Sequence, residues 1–343
     1  MNRANLIAVD ATAVSPQGKG IARVMRGTAE ALARRGEDVV ALVRPGVALD
    51  APLEAVRARP AVLWEQVGLA RAARRFDCVL TPTERLPLAG GGRFVVWLYE
   101  TPSRRLAQGR GLYQRGSDLV TRGLWKRSLR QAAAVVAGSH ATARELEDAL
   151  PGLNVRVIYP GLDPQFSPGD GSDGNRYVFH LGSSDPRDNT EVVLRAVALA
   201  RKRLPVRLVV GGAVPREALE RLGIEAEYPG RVSDEELVRL YRGAAAYLDA
   251  SLFEGFGYQA LEAMACGAPF VGTNATAIPE IVGDAGLLAD PRDPDALASA
   301  LVRVLEDPEL AEDLRRRGLE RAREFTWERT ADAFAELLAE VRG

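Results

Sequence analysis

The stretch AAYLDASLFEGFGYQALEAMACGAPFVGT (245–273) reads as strand, glycine-rich loop, helix, strand. AAYLDA (245–250) and APFVGT (268–273) are short apolar runs, and the segment 259–266 between them is rich in helix formers. Two strands joined through a helix run parallel, because a crossover of that length returns the chain to the same edge. The rhythm continues upstream through YVFHLG (177–182) and RLVVGG (207–212), with further helices expected at 189–203, 233–242 and 294–306. It also fills the first half of the chain, in LIAVD (6–10), VVALV (39–43), CVLTP (78–82), RFVVWLY (93–99) and AVVAGS (134–139). Continuous apolar strands with helices between them make a parallel sheet covered on both faces. The helix TAEALARRG (28–36) ends on Gly36, an ordinary stop signal.

Between the two series lies PGLDPQFSPGDGSDGNR (160–176), whose Pro, Gly, Asp and Ser mark an exposed connector. The expected organisation is therefore a first Rossmann-like domain over 1–165, a second over 166–325, and a closing helix within 326–343. The 343 residues, 47% of them hydrophobic, supply core for two domains. Such folds bind ligands at the carboxyl ends of their strands, and two of them offer a central cleft.

Charge and cysteine content narrow the function. The 45 basic and 46 acidic residues give a formal net charge of -1, which argues against a dedicated nucleic-acid binder. The two cysteines, Cys78 and Cys266, lie far apart in no metal-ligand spacing and suit a reducing compartment. MNRANLIAVDATAV enters a strand without the apolar core of a secretory signal, and no window reaches the length of a membrane span. The expected location is cytoplasmic.

Within SLFEGFGYQALEAMACGAPFVGTNATAIPEIVGDAGLLADP (251–291), Gly255 and Gly257 permit a tight loop whose backbone N–H groups point at a ligand. The helix that follows adds a positive end, so Gly255, Phe256, Gly257 and Tyr258 form a candidate phosphate cradle. Glu254 stands on the loop and Glu262 inside the helix, able to face one ligand at two depths. Taken alone, the loop is equally well an ordinary turn with two solvated glutamates.

The surrounding text resembles the family 4 glycosyltransferases, whose signature is a Glu, seven residues and a second Glu. Here it stands as Glu254-GFGYQAL-Glu262, followed by AMACG (263–267) and Pro279-Glu280. GRVSDEELVRLYRGAAAYLDAS (230–251), VIYPGLD (157–163) and FTWERTADAF (325–334) are similar to further family segments, so the resemblance covers most of the chain. It implies a GT-B fold, two Rossmann-like doubly wound parallel-sheet domains facing a central cleft, with a C-terminal helix crossing back to the first. It also implies a retaining, metal-independent hexosyl transfer from a UDP- or GDP-sugar, with no cofactor beyond that co-substrate. Glu262 would hold the donor ribose, Glu254 would contact the transferred sugar, and amides of 255–258 would bind the diphosphate. In the first half, PQGKGIARVMRGTAEALARRG (16–36) resembles the family's glycine loop, which makes Gly20 and Lys19 donor-binding candidates, with Arg23 beside them. A flexible surface loop with a solvated Lys19 is the plainer alternative.

Two departures stand out. Where the family commonly carries an Arg and then a Lys that grip the diphosphate, this chain has Leu181-Gly182-Ser183-Ser184-Asp185-Pro186-Arg187-Asp188-Asn189, with Ser183 and Asp188 at the two places. A carboxylate there opposes a leaving diphosphate, so Arg187, or Arg231 from GRVSD, is the candidate substitute, and Gly182 and Ser183 remain donor-side candidates. Where the family often has His-Asp, RFVVWLYETPSRR (93–105) has Tyr99-Glu100; Glu100 is a candidate acceptor base if burial raises its pKa, and a structural carboxylate otherwise. His140 and His180 sit beside strand ends, and packed, hydrogen-bonded imidazoles explain them without chemistry.

Residues 104–130 hold Arg104, Arg105, Arg110, Arg115, Arg122, Lys126, Arg127 and Arg130 against Asp118 alone, interleaved with Leu and aromatic residues. The run is a solvated helix face or a peripheral contact with the inner membrane face, suited to a lipid-linked acceptor; a sugar or small-molecule acceptor remains open. Three function classes remain: an active sugar transferase, a catalytically silent nucleotide-sugar binder, and a nucleotide-sugar epimerase. A nicotinamide dehydrogenase is disfavoured, because Gly18-Lys19-Gly20 lacks the third glycine of the dinucleotide fingerprint.

Overall fold

A computed structural model describes residues 6–15, 18, 20–89, 91–102, 112–169, 177–183, 185–214 and 216–342, with backbone only at 112–120, 122 and 216. Lys19 and residues 103–111 lie outside that set. The chain divides into two compact units, Met1–Gly161 with Phe325–Gly343, and Leu162–Glu324.

The first unit holds a seven-stranded sheet of β1 (Ile7–Asp10), β2 (Val39–Val43), β3 (Leu53–Ala55), β4 (Cys78–Thr81), β5 (Phe94–Leu98), β6 (Ala134–Ala137) and β7 (Val155–Val157), in the order β3-β2-β1-β4-β5-β6-β7. Every pairing is parallel, with Ile7 opposite both Val39 and Cys78. The central strands are buried along their whole length, as a sheet covered on both faces requires. The second unit repeats the plan with six parallel strands: β8 (Tyr177–Gly182), β9 (Leu208–Gly212), β10 (Glu227–Gly230), β11 (Ala244–Leu248), β12 (Phe270–Thr273) and β13 (Gly286–Ala289), ordered β10-β9-β8-β11-β12-β13. In each sheet the chain begins in the middle, winds outward, then crosses to the other side of its first strand. The crevices at these reversals, β1 beside β4 and β8 beside β11, are where doubly wound folds bind ligands.

Four strands, β3, β7, β10 and β13, escape the sequence reading, and they are the four sheet edges. An edge strand is half-exposed, so it shows no continuous apolar run; β3 and β10 are mostly exposed. The helix Ile21–Arg35 does stop at Gly36, whose φ of 91° is left-handed and whose N–H caps Ala33 and Leu32 carbonyls.

The last helix, Trp327–Arg342, belongs to the first unit. Trp327 lies against Gly27 and Gly161, where an added Cβ would come within 2.3 Å and 2.4 Å of it. Thr330 donates to the Tyr159 carbonyl at 2.8 Å, and Phe334 meets Trp97 edge-on at 4.8 Å. In the helix Leu112–Gln131, Trp125 and Leu129 are core residues while Lys126, Arg127 and Arg130 are exposed. The described turns of the basic run thus direct those two apolar side chains into the protein. No helix among the described residues is long and apolar enough to cross a membrane.

Candidate active site

The carboxyl ends of β8 and β11 gather the second unit's polar side chains. β8 ends on Gly182, where a Cβ would lie 2.6 Å from the Ala213 carbonyl oxygen, so only glycine fits against the neighbouring strand end. Next comes Ser183, exposed, whose hydroxyl accepts the Asp185 N–H at 3.0 Å; Asp188, five residues on, is half-buried. Burial raises the Asp188 pKa, the neighbouring Ser183 lowers it, and the charge of Asp185 raises it.

Arg187 lies between them. Its Nε donates to both Asp185 oxygens at 3.0 and 3.1 Å, and its Nη2 to one of them at 2.7 Å. Its guanidinium stands 6.0 Å from the Phe253 ring centre, and its carbonyl accepts the Leu252 N–H at 2.7 Å. The nominated cation therefore already neutralises a carboxylate. Arg231, the other nominee, follows β10 and is exposed.

β11 delivers Asp249, which sequence reasoning missed. It is buried, accepts the Ser251 hydroxyl at 2.7 Å, and burial pushes its pKa up to about 6. Its signal was its position, the first polar residue after an apolar strand. Five residues on, Glu254 is half-buried on the loop. Its N–H donates to Thr276 at 2.9 Å and its carbonyl accepts from Ala277 at 3.3 Å, strapping the loop to the turn after β12. Loss of solvation pushes the Glu254 carboxyl up to about 8, the charges of Asp249 and Asp188 add to the rise, and Arg187 opposes it. At neutral pH Glu254 is therefore mostly protonated, able to donate as well as accept.

Gly257, with φ 100°, caps the helix Tyr258–Ala265, and a Cβ there would meet Ile278 at 2.7 Å. Phe256 is buried with its ring 4.9 Å from that of Tyr258. Glu262, one turn in, is 4% exposed, and the Tyr241 hydroxyl donates to it at 3.5 Å. Burial raises the pKa of the Tyr247 hydroxyl, and the charges of Asp249, Glu254, Asp188 and Glu262 add to the rise. Tyr247 donates to Gln259 at 2.5 Å. Among the described residues no group of three His, Cys, Asp or Glu could hold a metal ion.

His180 is buried beneath this site, its Nδ1 3.0 Å from the Leu248 carbonyl and its Nε2 3.1 Å from the Thr190 hydroxyl. Burial lowers its pKa to about 4, so the neutral ring donates to the carbonyl and accepts from the threonine. It is a structural clamp between strand and helix. His140 is exposed at the start of the helix His140–Ala149.

In the first unit Gly20 is exposed with φ 57° and starts the helix Ile21–Arg35. Tyr99 is half-buried, tilted 5.2 Å from Trp97 and pressed on Gly138, where a Cβ would fall 2.4 Å from its ring. Glu100 beside it is half-buried as well.

Comparison with known proteins agrees with this geometry. The family described as Glycosyl transferases group 1 matches residues 175–307, and Glycosyltransferase Family 4 matches residues 18–166. O-antigen chain mannosyltransferase B of Escherichia coli is 40% identical over 164 residues, covering 44% of this chain and 42% of that protein, so the match spans less than half of its length. Sucrose-phosphate synthase from Thermosynechococcus elongatus superimposes with TM-score 0.78 at 20% identity, over 98% of this chain and 99% of that one. HepE of Anabaena, in complex with UDP and glucose, gives TM-score 0.74 at 19% identity over 98% and 99%. With one family match in each half and a fold shared end to end, the chain belongs to the family 4 glycosyltransferases and has their GT-B architecture of two Rossmann-like units.

Proposed function

We propose that the protein is a retaining hexosyltransferase that moves a sugar from a UDP- or GDP-sugar, held by the second unit, to a hydroxyl of an acceptor bound by the first. The observation that carries this reading is the placement of Glu254 on a glycine loop at the strand reversal, with Glu262 buried in the helix that follows. Backbone amides of 255–258 and the start of the helix Tyr258–Ala265 meet the diphosphate charge, so the reaction runs without a metal ion. Glu254 donates to a hydroxyl of the transferred sugar and forms no covalent bond to it. The acceptor oxygen attacks C1 from the face the diphosphate leaves; the C1–O bond to phosphate breaks as the new one forms, and the acceptor proton passes to the departing phosphate oxygen. Similarity to a mannosyltransferase of O-antigen synthesis makes a mannosyl donor and a glycan acceptor the first to try.

A second reading, a silent nucleotide-sugar binder, is favoured by one observation: Ser183 and the half-buried Asp188 stand where a basic pair would grip the leaving group. Thermal-shift screening with UDP-, GDP- and ADP-sugars, followed by transfer assays with and without chelator, separates the two. Stabilisation with turnover and a retained anomeric configuration in the product is the expected result. Stabilisation without turnover supports the silent binder, an inverted product rejects retention, and donor conversion without acceptor points to an epimerase.

A further inference from the structure

The reversal of the first sheet, where β1 and β4 end side by side, holds a second constellation. Asp10 is buried there and accepts from Thr12 at 2.7 Å, Thr81 at 2.9 Å and the Trp64 indole at 3.3 Å. A π-helical turn, Trp64–Gly68, buries two consecutive side chains, Trp64 and Glu65, against this point. Trp64 folds back over Gly68, where a Cβ would fall 2.1 Å from the ring. One oxygen of Glu65, Oε1, accepts from Arg85 Nη2 at 2.5 Å and from Thr83 at 3.3 Å. The paired side chains are only 12% (Arg85) and 10% (Glu65) exposed. The other oxygen, Oε2, is fully buried and takes no hydrogen bond from any described residue.

Native folds rarely leave a buried carboxylate oxygen unsatisfied without using it. A ligand hydroxyl can supply the donor that no described residue gives, and the local charge limits what that ligand can be. Among the described residues, Asp10 and Glu65 bring two carboxyls close to the Arg85 guanidinium; burial raises the pKa of Glu65, Arg85 lowers it and the charge of Asp10 raises it. A hydroxyl satisfies Glu65 in either protonation state, since it donates and accepts. A phosphate oxygen satisfies only the protonated form and is repelled by the other.

We propose that Glu65, Thr83 and Arg85 form the acceptor subsite of the first unit, and that it takes a neutral polyhydroxylated ligand, a pyranoside with free vicinal hydroxyls, in preference to a phosphorylated one. The word acceptor rests on the transferase reading; the binding does not.

Saturation-transfer NMR on the whole chain tests it with a panel of methyl pyranosides, gluco, galacto and manno, and their 6-phosphates. At least one neutral glycoside is expected to bind the wild type, and to weaken roughly tenfold or more in Glu65→Gln and severalfold in Thr83→Ala. Thr83→Ala leaves the Glu65–Arg85 pair in place, so the question stays answerable if Glu65→Gln misfolds. Equal binding in the Glu65 and Thr83 variants, tighter binding of the 6-phosphates, or no bound glycoside each overturns the subsite. Glu65-dependent glycoside binding without any nucleotide-induced stabilisation would keep the subsite and remove the transferase reading.

Discussion

Arg187 is paired with Asp185 at 2.7 Å just past the carboxyl end of β8, next in sequence to the half-buried Asp188 carboxylate. A diphosphate approaching this loop meets a carboxylate where a cation would attract it. Asp188→Lys is expected to tighten binding of nucleoside diphosphate by about 1–2 kcal/mol, roughly five- to thirtyfold. Calorimetry at low and high salt checks it: the gain should shrink as salt screens the new charge. Unchanged affinity at low salt would move the diphosphate away from β8.

Glu254→Gln keeps a donor and an acceptor but cannot ionise. Transfer is expected to fall by on the order of a hundredfold or more, while folding stability is retained, because the change removes a carboxyl that the site disfavours when charged. The sign follows from linkage. The folded pKa of about 8 lies above the ordinary 4.5, so the native state holds this proton more tightly, and its stabilisation is lost as pH rises through 8. Urea titrations of wild type and variant across that range should therefore diverge, with the variant showing the flatter alkaline decline. Wild-type turnover in the variant would take Glu254 out of the mechanism.

His180 makes the opposite titration. Its folded pKa of about 4 lies below the ordinary 6.5, so its contribution is complete above 6.5 and is lost as pH falls through 4. His180→Leu breaks its bonds to Leu248 and Thr190 and strands both buried partners, at an expected cost of about 2–4 kcal/mol near neutrality. The difference between wild type and variant should narrow in acid. An imidazole NMR signal titrating near its ordinary pKa would contradict the clamp.

Gly27→Ala sets two effects against each other. Alanine in a helix interior gains roughly 1 kcal/mol over glycine. Its Cβ would fall 2.3 Å from the Trp327 ring, and overpacking of that severity costs about 1–3 kcal/mol or more. The clash is expected to win, because Trp327 is also fixed against Gly161. Lower stability with altered tryptophan fluorescence is the outcome to look for; a stabilised variant would show that the last helix yields easily.

Much of the fold was legible because parallel strands buried on both faces write themselves as apolar runs. YVFHLG, AAYLDA and APFVGT each mark a strand, and Gly36 ends its helix as expected. The four edge strands were not legible, since an edge has one neighbour and tolerates residues such as Glu54 and Glu227. The candidate site was legible where chemistry and spacing coincide, at Glu254, Gly255, Gly257 and Glu262. Asp249, Asp10 and Glu65 were missed, because each is a single acid whose meaning depends on what lies beside it in space.

From its order of residues alone, this chain determined two parallel sheets, their joint near residue 160, and a glycine loop flanked by glutamates, all of which depend on local pattern and spacing. Only the tertiary structure decided which charges are spent: that Arg187 is held by Asp185, that burial raises the Glu254 pKa, and that one oxygen of Glu65 is buried with no donor among the described residues. The reason is physical. Solvation and pairing depend on neighbours brought together from distant parts of the chain, and no linear spacing encodes them.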